Sequence, residues 1–112
     1  MARAEVVGPL VELLYFDGCP NHPTAQALVE RISAELGVDV EIKLVNVADS
    51  DAVVRERFLG SPSIRVDGHD IEPGAEARTD YALSCRVYRT KDGASGQPDE
   101  RWLRKALRSS RR

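Results

Sequence analysis

The chain has 112 residues, 42% of them hydrophobic and 30% charged, the composition of an ordinary globular protein with room for one core and none for a second domain. Sixteen Lys and Arg against 18 Asp and Glu leave a formal charge of −2, which argues against general nucleic-acid binding. The chain ends in a basic run, Arg101, Arg104, Lys105, Arg108, Arg111 and Arg112, read first as the solvated face of a last helix with its tail and second as a seat for an anionic partner.

In chain order, the opening MARAEVVGPLVELLYF makes no secretory signal, because Pro9 and Glu12 interrupt its apolar stretch and no small-residue cleavage site follows. No other segment is long enough to cross a membrane. The expectation is a cytoplasmic protein, a compartment in which two cysteines are reactive or buried more often than they form a permanent staple. Leu10 to Phe16 is short, apolar and bounded by Gly8-Pro9 and Asp17-Gly18, which predicts a buried strand. From about Pro23 to Leu36, the residues Ala25, Leu28, Val29, Ile32 and Leu36 recur at helical spacing, and Gly37 supplies the stop. Val38 to Val47 alternates and predicts a second, half-covered strand, with Val38, Val40, Ile42 and Leu44 facing one way.

Asp49-Ser50-Asp51 is an acidic capping cluster opening a helix through AVVRERFL to Gly60. Ser61-Pro62-Ser63 breaks the chain. Ile64 and Val66 then alternate with Arg65, Asp67-Gly68 signals a two-residue hairpin turn, and His69-Asp70-Ile71 starts the return strand. Between Glu72 and Pro98 nothing is firmly periodic; a short helix or strand around Tyr81 to Tyr88 is the one regular piece it offers, and DGASGQP reads as a loop. A closing helix from about Asp99 to Arg108 carries Trp102, Leu103, Ala106 and Leu107 as its apolar stripe, which predicts a buried Trp102. A strand-helix-strand unit makes the first two strands parallel neighbours, and the hairpin adds two antiparallel strands to the same sheet.

The stretch FDGCPNHPT raises the chemical question. Cys19 follows the first strand and stands at or beside the positive end of a helix, a position that favours thiolate over thiol. Three residues on is His22, which either raises the thiolate fraction of Cys19 or merely starts the helix and faces water. The other cysteine, Cys85, lies far away in YALSCRVYR.

From about Leu10 to Leu107 the chain resembles the thioredoxin-like superfamily, through the strand ending in Asp-Gly-Cys-Pro before a helix, the Gly-Ser-Pro-Ser segment before the hairpin, and the element order. The resemblance implies an α/β, three-layer fold with a central mixed four-stranded sheet and helices on both faces, forming one domain over residues 1–112 with its core at about 10–108. It implies a cis Pro62 packed against the Cys19 thiol, and with Ser61 and Pro20 a substrate-binding rim. That rim includes an exposed backbone edge able to pair with a bound peptide or thiol compound. The departure is Cys19-Pro20-Asn21-His22, where dithiol members have a second cysteine in the fourth place, so local dithiol chemistry is excluded.

Because the returning strand brings the chain back to the Cys19 end, Cys85 is either a distal resolving thiol or one more small buried hydrophobe. His69 belongs to the hairpin turn at the far end, and with no C-x-x-C pair no structural metal is expected, nor any cofactor. The leading expectation is a thiol-redox protein acting on a protein or small-molecule thiol or disulfide, with Cys19 as nucleophile, His22 as tuner and Cys85 as resolver. The alternatives are a redox-inactive binding or scaffold module on the same frame, and a protein that handles a soft metal such as mercury or arsenic through two converging thiols.

Overall fold

The six residues Leu10–Tyr15 form β1, and their alternation decides the layout around them. Val11 and Leu13 join a cluster with Ala25, Val29, Ile32, Ile64, Val66, Ile71, Leu103 and Leu107, whereas Leu14 joins Val47, Ala52, Val53 and Phe58. The computed structural model describes residues 8–109, so Arg111 and Arg112 of the basic end and the first seven residues lie outside it. Within it are three helices and a mixed four-stranded sheet. Among the described residues no helix is long and apolar enough to cross a membrane.

The helix α1, His22–Leu36, starts with Pro23 in its first turn, where a missing N–H costs nothing, and ends at Gly37 in the left-handed conformation. It returns the chain to β2, Glu41–Asn46, which runs parallel to β1 from Leu10 opposite Glu41 to Tyr15 opposite Asn46. The strand is shorter than the Val38–Val47 alternation suggests. Leu44 is exposed and Val45 half-buried, so the expected apolar face of this strand does not hold to its end.

The helix α2, Ser50–Glu56, is capped by Asp49, whose carboxylate accepts the Ala52 N–H at 2.8 Å. It stops before the expected Gly60 because Arg57 turns left-handed, and the chain then buries Phe58 and Leu59 from a loop. Arg65 donates to the carbonyls of Glu56 and Arg57, two of the acceptors a helix end leaves unpaired. Next come β3, Ser63–Val66, antiparallel to β1, and the two-residue β4, His69–Asp70, antiparallel to β3. Asp67 and Gly68 both have positive φ, as a tight hairpin turn requires, and the Asp67 carboxylate accepts the Leu10 N–H. The sheet order is β2-β1-β3-β4, with β2 and β4 at its edges.

The stretch from Glu72 holds a short 3-10 turn, Ala75–Ala77, and a separate hairpin of β5, Tyr88–Thr90, and β6, Gly93–Ser95. DGASGQP is therefore not all loop. Its glycine-rich strand was invisible to periodicity because Gly93 and Ala94 are exposed and neither face of β6 is sorted by burial.

The closing helix α3, Glu100–Ser109, buries Leu103 and Leu107. Trp102 corrects the expectation: it is only half-buried, at the rim of the core, with its ring 6.1 Å from that of Tyr88. Two of the four described basic residues of this end are engaged at home: Arg101 pairs with Asp99, and Arg104 with Glu35 and Glu100. Asp99 also accepts the Arg101 N–H at the start of α3, and the Arg101 guanidinium holds its pKa down at about 2. Such a depressed carboxyl stabilises the fold fully above the ordinary value of about 3.9 and ceases to as pH falls through about 2. An acid titration followed by Trp102 fluorescence should therefore show α3 loosening between those two values. In Asp99→Asn that component should vanish, and an unchanged acid limb would remove Asp99 from the account.

Candidate functional site

Leu14 lies opposite Ser63, so the end at which β1 stops is the end at which β3 begins. The turn bearing Cys19 and the residues Ser61 and Pro62 therefore leave the sheet together. The Cys19 N–H donates to the Phe16 carbonyl at 3.2 Å, a tight turn made possible by Gly18 at φ 90°. Cys19 is 5% exposed, and Pro20 beside it is open to solvent. The Ser61-Pro62 bond is cis, as expected, and both residues are buried. His69 stands opposite Val66 at the other end of the sheet.

His22 starts α1, as one expectation had it, but its ring is packed and does not simply face water. Its ring stacks on Tyr15, the last residue of β1, with centroids 4.2 Å apart and planes 21° from parallel. Its Nδ1 is buried without a hydrogen-bond partner among the described residues. Close by, Gln97 donates to the Asn21 carbonyl at 2.9 Å, and a Cβ on Gly96 would stand 2.6 Å from the Asn21 amide, so the loop after β6 walls the start of α1.

Cys85 is exposed, which excludes the reading of a buried hydrophobe. Its backbone is laid against Ser61 as a parallel bridge: Ser61 donates to the Ser84 carbonyl at 2.9 Å, and Arg86 donates to the Ser61 carbonyl at 2.9 Å. The expected open backbone edge at Ser61 is thus a correction, because the chain's own residues 84–86 fill it. Both cysteines are free thiols.

Arg86 fixes this segment, and it was missed in the sequence. It is 2% exposed and donates to both carboxylate oxygens of Asp70 at 2.7 and 3.1 Å, to Glu72 at 2.5 Å and to the Ser63 hydroxyl at 2.8 Å. Burial is the largest single influence and lowers its pKa, but the hydrogen bonds to Asp70 and Glu72 and the charges around it together outweigh that and hold the value above that of an ordinary arginine. Its guanidinium also lies 4.3 Å from the centroid of the Tyr88 ring. Tyr88 is fully buried, which keeps its hydroxyl neutral and raises its pKa, and it donates to the Pro62 carbonyl at 2.6 Å. Every hydrogen-bonding backbone group of Ser61 and Pro62 is therefore engaged from the 84–88 side.

A concavity of about 670 Å³ lies elsewhere, between the β4 turn and α3, lined among others by Ile71, Glu76, Trp102 and Lys105. None of the expected thiol-site residues lines it. No family model matches the chain, and no curated protein matches it.

Proposed function

We propose that the chain is a thioredoxin-like thiol-redox protein, with helices against both faces of the sheet, in which Cys19 and Cys85 act as a pair. The two-cluster sorting of β1 supports the layered fold, since residues 13 and 14 point to opposite faces of a strand. The observation that carries the function is the bridge from Ser61 to Cys85, which tethers the second thiol to the end of the sheet where the first one emerges.

In this reading the Cys19 thiolate attacks one sulfur of a disulfide RS–SR′, forming a Cys19–SR mixed disulfide and expelling R′S⁻, which takes a proton from water. The Cys85 thiolate then attacks the Cys19 sulfur and expels RS⁻, so two electrons pass to the substrate and a Cys19–Cys85 disulfide remains. The exposed Pro20 and the buried Ser61-Pro62 pair frame the entrance, and the stacked His22 ring stiffens the turn. No cofactor takes part in these steps.

The test is mild oxidation of the dilute, reduced protein, followed by thiol counting and non-reducing mass spectrometry. The expected product is an intramolecular disulfide that is absent from Cys85→Ser. Two persistent free thiols, or only dimers through Cys19, would defeat the pair. The near-complete burial of Cys19 favours one second reading, a redox-inactive module on the same frame. Alkylation of Cys19 as a function of pH separates them: an apparent pKa well under the free-thiol value of about 8.5 supports catalysis, and a value at or above it supports the module.

A further inference from the structure

Two independent observations bear on what the thiol pair can accept. Cys19 is 5% exposed, so a disulfide must come to a nearly enclosed sulfur. An extended polypeptide that does so needs a seat for its backbone, and such seats are made of unpaired N–H and C=O groups at a strand edge. At Ser61 there are none: its N–H goes to Ser84, its carbonyl accepts from Arg86, and the adjoining Pro62 carbonyl accepts from Tyr88.

The occupant is not loosely held. Arg86 anchors it through Asp70, Glu72 and the Ser63 hydroxyl, and Gly60 lets it approach so closely that a Cβ there would stand 2.9 Å from the Arg86 Cβ and 3.1 Å from the Ser84 carbonyl oxygen. Resting on the thiol-redox reading, we infer that this built-in segment restricts the pair to low-molecular-weight disulfides and excludes disulfides carried within extended polypeptides. The segment takes the place a substrate backbone would need, and the same three residues present Cys85, so the resolving thiol and the excluding strap are one device. The small disulfide is reduced by the exchange steps given above, with the protein dithiol as reductant.

The experiment compares two substrates with the same reacting bond. One is N-acetylcysteine amide carrying a 2-mercaptoethanol mixed disulfide; the other carries that mixed disulfide on the central cysteine of a short unstructured peptide. Single-turnover rates are measured with the pre-reduced full chain and divided by those of free N-acetylcysteine at the same pH. The small substrate should react faster than the peptide by at least about tenfold, the factor set by surrendering two backbone hydrogen bonds to seat a peptide. In Arg86→Ala, which frees the segment, the ratio should fall towards one. Should that variant fail to fold by circular dichroism, Tyr88→Phe, which frees only the Pro62 carbonyl, carries the same measurement with a smaller fall.

A peptide that reacts as fast as the small compound overturns the exclusion while leaving the thiol-redox reading in place. An unchanged ratio in a folded, loosened variant overturns the role of the segment. If neither substrate reacts faster than with free N-acetylcysteine, the thiol-redox reading fails and this inference falls with it.

Discussion

Replacing Arg86 by Ala is expected to cost on the order of 4 kcal/mol of folding stability, the range found when one partner of a buried ion pair is removed. The Arg86 side chain is 1% exposed and those of Asp70 and Glu72 are 12% and 18% exposed, so the carboxylates cannot recover full hydration once the guanidinium is gone. Glu72 keeps Arg78 at 3.0 Å, but Asp70 is left with no comparable cation among its described partners. The Ser63 hydroxyl loses its donor and the Tyr88 ring loses the cation above it. Denaturant unfolding measures the loss, and Arg86→Met, which retains the stem's packing, separates charge from volume. A loss below about 1 kcal/mol in both would place Arg86 among exposed ion pairs, contrary to its burial. Adding Asp70→Asn and Glu72→Gln to Arg86→Met should recover part of the loss, because the uncompensated charges are then removed too.

Gly60→Ala is expected to be nearly as damaging, by on the order of 3 kcal/mol, from backbone strain and overpacking together. Gly60 has φ 121°, outside the range an L-residue adopts readily, and its Cβ would meet the backbone of the segment, which cannot simply rotate away. Either the loop before β3 shifts or residues 84–86 lift off Ser61. Amide exchange at Arg86, whose N–H donates to Ser61, distinguishes the two: faster exchange at Arg86 than at β1 amides marks lifting. A stability loss under about 1 kcal/mol would show that the close approach is not tight.

The sequence carried most of the sheet because there local pattern and burial agree. Val11, Leu13 and Ile64 are apolar at period two and buried, and Asp67-Gly68 names its own turn. The closing helix came out within one residue of its expected ends. What sequence pattern could not supply is the 84–88 segment, where the usual sorting is inverted: Val87 is 61% exposed while Arg86 and Tyr88 are buried. Pattern reading puts valine inside and arginine outside. Here the burial of Arg86 is licensed by Asp70 and Glu72, residues 16 and 14 positions away, and no local signal announces such a pairing. The one available hint was the period-two spacing of Arg86 and Tyr88 beside Cys85. Trp102 erred the other way: its stripe on α3 was correctly placed, but periodicity gives a direction and not a depth, and Trp102 lies at the rim.

The sheet also has two unequal margins. β4 is only two residues long, too short to template another strand, whereas β2 offers six residues with no further neighbour in the sheet among the described residues. A sheet with a single usable margin can be extended once: two copies meeting β2 to β2 around a two-fold axis consume both margins and leave nothing for a third. Growth into a filament needs two complementary margins on every copy, and this architecture provides one. Any edge-to-edge association through the described strands of the sheet would therefore terminate at a closed pair.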